Sequence, residues 1–206
     1  MARPPFTDLF QPGRFYHIYN HAVGMENLFR RRDNYCYFLN RFRDYVTDVC
    51  HCFAYCLMPN HFHFLIRVKE KAEIERFWAG YKPGYTDHPG HHHIVMNPFS
   101  RMLNGYTQAY NKMFNRKGAL FLDYMRRKQV SSQAYLINLV SYIHYNPVHH
   151  GICCDIADWE FSSYRSLFSA SPTHIARDAP LELIGPVDRL HKTNRHYAGL
   201  NTEFEF

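Results

Sequence analysis

The sequence predicts an α+β fold, and three observations carry the prediction. Apolar and polar residues alternate in four short runs, apolar residues recur at helical spacing in three longer ones, and the runs follow a fixed order. That order is strand, helix, strand, strand, helix, strand, the ferredoxin-like plan of an antiparallel sheet with helices on one face, here followed by an added C-terminal helix that bears a tyrosine.

Each element has its own signal. GRFYHIYNHAVG alternates and ends at Gly24, which reads as a first strand. From Asp33, a possible N-cap, to about Val49, the residues Tyr37, Phe38, Phe42, Tyr45 and Val49 recur at helical spacing. CHCFAYCLMPN reads as a second strand breaking at Pro59-Asn60, and HFHFLIRV as its antiparallel return. Residues 69–98 are rich in charge, Gly, Pro and His and read as an insertion or a mobile loop. PFSRMLNGYTQAYNKMFN places Phe99, Met102, Leu103, Tyr106, Tyr110 and Met113 on one stripe, a second helix from Pro98 to Asn115. ALFLDYMRRKQV is the next strand, and SSQAYLINLVSYIHYNP a third helix from a Ser cap to Pro147.

The 206 residues suit one domain with extensions: a lead over 1–12, the domain over 13–168, and an extension over 169–206. The first residues lack the apolar core of a signal peptide, and no window reaches eighteen uninterrupted apolar residues, so a cytoplasmic protein with no membrane partner is expected. The six cysteines have neither zinc-pair nor disulfide-framework spacing and read as reduced thiols. A net charge of +6 with 17% aromatic residues favours a polyanionic partner, and cations interleaved with rings suit single-stranded or hairpin nucleic acid. No P-loop, dinucleotide fingerprint or Ser/His/Asp order is present.

In CLMPNHFHFLIRV, His61 and His63 are two apart in a strand and therefore project from one face, with Phe62 and Phe64 on the other. Two neutral imidazoles side by side can serve one cation, though an H-x-H in a chain with 15 histidines is also compatible with simple packing. In SYIHYNP, Tyr142 and Asn146 are four apart on one helix face, so Asn146 could add an amide oxygen and bring the Tyr142 hydroxyl to the same metal. Leu136, Leu139, Val140 and Ile143 supply the packing stripe of that helix.

MPNHFHFLI, then a helix ending YIHYNPVHHG, then DWEFSSY together resemble the REP-associated tyrosine transposases, a branch of the single-tyrosine HUH (IS200-like) transposases, over about Gly13 to Leu167. The resemblance implies a metal-dependent enzyme that cleaves and rejoins hairpin-flanked single-stranded DNA through a 5′-phosphotyrosine. On this chain it implies Tyr142 as nucleophile, His61, His63 and Asn146 as ligands, and magnesium or manganese as the ion. Asn rather than Gln at 146 matches the REP-associated branch, while residues 69–98 and those beyond Ser169 depart from the pattern. Monomer and homodimer both remain open, and the alternative function is a hairpin- or single-strand-binding module without catalysis.

Tyr106, followed four residues on by a polar-capable side chain, is the second candidate nucleophile. Arg126, Arg127 and Lys128, just before the tyrosine helix, are candidate phosphate contacts, as are Arg14, Arg67 and the run Arg30, Arg31 and Arg32. His91, His92 and His93 sit among Gly and Pro and read as loop residues, not ligands. Ser162, Ser163 and Tyr164 are expected to anchor the C-terminal segment.

Overall fold

A computed structural model describes residues 7–83 and 89–177. Four strands form the sheet: β1 (Phe15–His21), β2 (Cys50–Leu57), β3 (His61–Val68) and β4 (Arg126–Gln129). Five helices accompany them: α1 (Arg32–Val46), α2 (Lys71–Tyr81), α3 (His91–Met113), α4 (Gln133–His149) and α5 (Tyr164–Phe168). The strands lie in the order β2-β3-β1-β4, all neighbours antiparallel. The two strands that carry the alternating pattern most clearly, β1 and β3, are therefore central, as the ferredoxin-like plan requires.

Strand alternation divides the side chains between two cores. Tyr16 and Ile18 of β1 and Phe62, Phe64 and Ile66 of β3 point to the face covered by α1 and α3, where Phe38, Phe42, Phe99 and Tyr106 close over them. Phe42 stacks on Phe64 with centroids 4.3 Å apart. The opposite face receives α4, whose Leu136, Leu139, Val140 and Ile143 pack on Phe53, Ala54, Cys56 and Leu65. A bulge between Cys52 and Ala54 shifts the alternation of β2, so Cys52 joins the first core while Phe53 and Ala54 join the second.

Several element boundaries differ from the expectation: β4 covers only the RRKQ of ALFLDYMRRKQV, and α1 ends at Val46, short of Val49. Residues 69–98 are not a loop throughout: Lys71–Tyr81 is helical, with Ile74 its one buried residue, and α3 begins at His91. Pro98 consequently lies inside α3 and does not start it. A proline there removes a single N–H, and buried Ile94, Val95 and Phe99 on both sides hold the turn in place. Pro147 likewise sits inside α4, which continues to His149. At α1 the N-cap is Arg31, not Asp33, and the Asn34 side-chain oxygen accepts from the backbone N–H groups of Arg30 and Arg31. Ser132 caps α4 as expected, its hydroxyl accepting from Tyr135 N–H. No helix among the described residues is long and apolar enough to cross a membrane.

Candidate active site

The second face of the sheet is where the histidines meet. The register places Tyr19 opposite His63 and His21 opposite His61, so His17, Tyr19, His21, His61 and His63 form one patch on β1 and β3. α4 lies across it. Its i, i+4 spacing turns both Tyr142 and Asn146 onto the patch, as the apolar stripe of that helix dictates.

His61 Nε2 and Asn146 Oδ1 are 3.0 Å apart. His63 is wholly buried, and its ring lies 5.1 Å from that of His61 and 5.3 Å, edge-on, from that of Tyr142. Tyr142 is 7% exposed. His63 Nδ1 is 2.9 Å from His17 Nε2, so one N–H is shared between those two rings. Tyr19 stacks on both His17 and His63, at 4.6 and 5.8 Å between centroids. The exposed His150 ring sits 5.2 Å from His61 at the open end.

Burial holds these imidazoles neutral. It lowers His61 to about 4, against a hydrogen bond to Asn146 that works in the other direction, and lowers His17 to about 3. His63 is pushed well below the ordinary value by burial first and by the neighbouring histidines second. A neutral ring keeps one nitrogen lone pair, which is what a metal ion needs.

The donor set can be tested against an ion. Two cis ligands of an octahedral magnesium-sized ion at about 2.1 Å lie about 3.0 Å apart, which matches the spacing of His61 Nε2 and Asn146 Oδ1. Asn146 Nδ2 is buried without a hydrogen-bond partner among the described residues, so this orientation of the amide leaves a donor unsatisfied, a cost that an ion held by the oxygen would offset. No group of three or more His, Cys, Asp or Glu among the described residues is arranged for a metal. A site here would therefore rest on two imidazoles and an amide, with further oxygens from substrate or water. The residues fit a hexacoordinate ion on these terms.

No family model matches the chain. A Haemophilus influenzae protein that carries the name REP-associated tyrosine transposase is 24% identical over 134 residues, 62% of this chain and 69% of that one. A solved structure of a REP-associated tyrosine transposase bound to a REP hairpin superposes with a TM-score of 0.58 at 15% identity, covering 84% of this chain and 89% of that one. The chain is similar to the REP-associated tyrosine transposases in sequence and in fold.

The other candidate residues fall at different places in the fold. Tyr106 is not at the site: it lies in the first core, 1% exposed, with its hydroxyl donating to Leu28 O, and burial raises its phenol far above the ordinary value. Arg127 is not placed as a phosphate contact either. Strand alternation turns it to the first face, and its guanidinium donates to the carbonyls of Met125, Asp8 and Thr7 at 2.8, 3.1 and 3.3 Å over the Phe10 ring. Arg126 and Lys128 have the opposite parity, pair in register with Tyr19 and His17, and so lie on the histidine face. Lys128 Nζ sits 5.0 Å over the Tyr135 ring of α4.

Arg14 and Arg67 are at the far end of the sheet, since Phe15 pairs with Arg67 while His21 pairs with His61, a span of about 20 Å for six strand steps. Arg67 also donates to Gly13 O and is paired with Glu70. Arg30, Arg31 and Arg32 are at the near end, where Phe29 N–H donates to Pro59 O beside the His61 turn. Arg30 pairs with Glu26 and Arg32 with Glu160, while Arg31 lies over Phe114. His91, His92 and His93 form the first turn of α3, and His92 Nδ1 accepts from Phe10 N–H. Ser163 anchors the C-terminal segment as expected: its hydroxyl oxygen accepts from Tyr55 N–H and lies 2.8 Å from His144 Nε2.

His17, Tyr19 and His21 escaped the sequence reading. Their shared parity in GRFYHIYNH was visible, but only the β1–β3 register brings that parity against His61 and His63.

Proposed function

We propose that this protein is a metal-dependent transposase or endonuclease of single-stranded, hairpin-flanked DNA, with Tyr142 as the nucleophile. The observation that carries the reading is the convergence of Tyr142 and Asn146, one turn apart on α4, upon His61 and His63, two residues apart on β3. A core contact needs neither a hydroxyl nor an amide there. The relatives' names and the hairpin in the solved neighbour support DNA as the substrate.

In this reading Tyr142 Oη attacks the scissile phosphorus, the bond from phosphorus to the 3′ oxygen breaks, and that oxygen leaves as a 3′-hydroxyl after taking up a proton. The phenolic proton goes to solvent. The product is a 5′-phosphotyrosine, and attack by a 3′-hydroxyl on it reverses the step and rejoins strands without an added energy source. A phenol has an ordinary pKa of about 10, so the chain must help its deprotonation. His61, His63 and Asn146 would hold the divalent ion, magnesium or manganese, which when bound supplies Lewis-acid stabilisation of phosphate charge and favours the phenolate. Burial of His61 and His63 keeps both rings neutral and ready to bind at neutral pH. Arg126 and Lys128 on the same face would position the backbone phosphates.

The test is His61→Ala and His63→Ala incubated with a hairpin-flanked oligonucleotide and manganese. Cleavage should be lost in both while binding of the DNA persists. Cleavage at the parent rate in both variants would remove the metal site from the reading, and binding without any cleavage by the parent protein would leave a non-catalytic hairpin-binding module.

A further inference from the structure

A line of polar groups beside the candidate metal site ends on a backbone carbonyl, and its direction can be worked out atom by atom. The Ala22 carbonyl can only accept, so His21 Nδ1, 2.7 Å away, carries the ring proton. A neutral imidazole has one N–H, so His21 Nε2 is an acceptor and the Asn60 Nδ2, at 2.9 Å, donates to it. That fixes the Asn60 amide: its Oδ1 faces His61 Nδ1 at 2.8 Å and accepts from it. His61 then has its proton on Nδ1 and a lone pair on Nε2.

The lone pair points at Asn146, 3.0 Å away. If the Asn146 oxygen faces it, two acceptors confront each other, an arrangement that a cation between them resolves. If the amide turns over, its N–H₂ donates to the same nitrogen. In either orientation Nε2 remains the acceptor, because the other end of the line leaves His61 no second proton.

We propose that Asn60, oriented by His21, is the positioning residue that selects the Nδ1–H tautomer of His61 and thereby presents Nε2 to a divalent ion. The proposal rests on the reading of His61 as a metal ligand. Metal-binding imidazoles generally donate their other N–H to an acceptor that fixes the ring, and loss of that acceptor costs about 10–100-fold in metal affinity. Asn60 supplies the acceptor from the turn between β2 and β3, where its own backbone carbonyl accepts from Ala22 N–H and fixes the turn to the end of β1. His21 adds ring contact as well: it stacks on His61 at 5.6 Å with 9° between planes.

The experiment reads the tautomer directly. Histidine side-chain ¹⁵N–¹H correlation spectra of the metal-free protein at pH 8, with His61 assigned by His61→Gln, should show the Nδ1–H form. Asn60→Ala should move His61 towards the Nε2–H form and weaken Mn²⁺ binding, read by titration, about 10–100-fold. Asn60→Asp retains an acceptor for Nδ1–H and should keep the tautomer, even though its second oxygen can no longer donate to His21 Nε2. His21→Phe keeps the stack, deletes the acceptor that orients the amide, and should shift both readouts in the direction of Asn60→Ala but less far, which serves if the alanine variant does not fold. A parent spectrum with His61 as Nε2–H, or an Asn60→Ala protein with unchanged tautomer and unchanged affinity, overturns the proposal. An Nδ1–H parent that takes up no Mn²⁺ upholds the hydrogen-bond line and overturns the metal reading instead.

Discussion

Lowering the pH from 7.5 to 5 should destabilise this protein far more than its carboxylates alone would. His17, His61 and His144 are buried, and burial lowers them to about 3, 4 and 3. Unfolded histidines titrate near 6.5. The folded values lie below the unfolded one, so between about pH 6.5 and 4 the unfolded chain binds protons that the folded chain does not. Stability is complete above pH 6.5 and is lost as the pH falls through that window. At pH 5 each such ring costs about 2 kcal/mol, and the three together about 6 kcal/mol. His63, also lowered by burial, acts in the same direction. This is a large part of the 5–15 kcal/mol that holds a typical domain. Urea unfolding followed by circular dichroism in EDTA at both pH values measures it, and with a slope of about 3 kcal/mol per molar the midpoint should fall by about 2 M. A midpoint that moves by less than about 0.5 M would mean that these imidazoles are hydrated in the folded state, and the neutral, metal-ready patch would lose its physical basis.

Three further outcomes are expected. Arg126→Ala with Lys128→Ala should lower the slope of log K against log salt for single-stranded DNA by about 1.4, two phosphates at about 0.7 each, whereas an unchanged slope takes this edge off the DNA path. Arg127→Ala should leave that slope alone but cost about 3 kcal/mol of stability, since two buried carbonyls and one partly buried carbonyl lose a charged donor; thermal unfolding checks it. Tyr106→Phe loses only its bond to Leu28 O, about 1 kcal/mol, and should cleave DNA at the parent rate in a gel assay.

The parts of the site that follow from period were legible, and those that depend on register were not. His61 and His63 share a face because strand residues two apart must, and Tyr142 and Asn146 share one because helix residues four apart must. The same parity argument, applied to RRKQ, would have set Arg127 apart from Arg126 and Lys128; basicity alone grouped the three. His17 and Tyr19 join the site only through the pairing of β1 with β3, a long-range fact that no local pattern encodes. α2 was legible in KAEIERFWAGY, where Ile74, Phe77, Trp78 and Tyr81 stand at i, i+3, i+4 and i+7 and Phe77 and Trp78 pack against the first core, but the Gly, Pro and His that follow drew the whole segment into a loop reading. Pro98 was read as a start because proline commonly opens helices, and the two turns before it are held by Ile94 and Val95 in the core.

The central claim is that Tyr142 makes the covalent bond. The parent protein and Tyr142→Phe are incubated with manganese and a hairpin-flanked single strand labelled at its 3′ end, because a 5′-phosphotyrosine retains the downstream piece. Denaturing electrophoresis and peptide mapping of the shifted band follow. The parent should give an adduct that maps to the peptide containing Tyr142, and Tyr142→Phe should bind the same DNA yet give none. An adduct that persists in Tyr142→Phe, or one that maps to Tyr19 beside His63, would contradict the account.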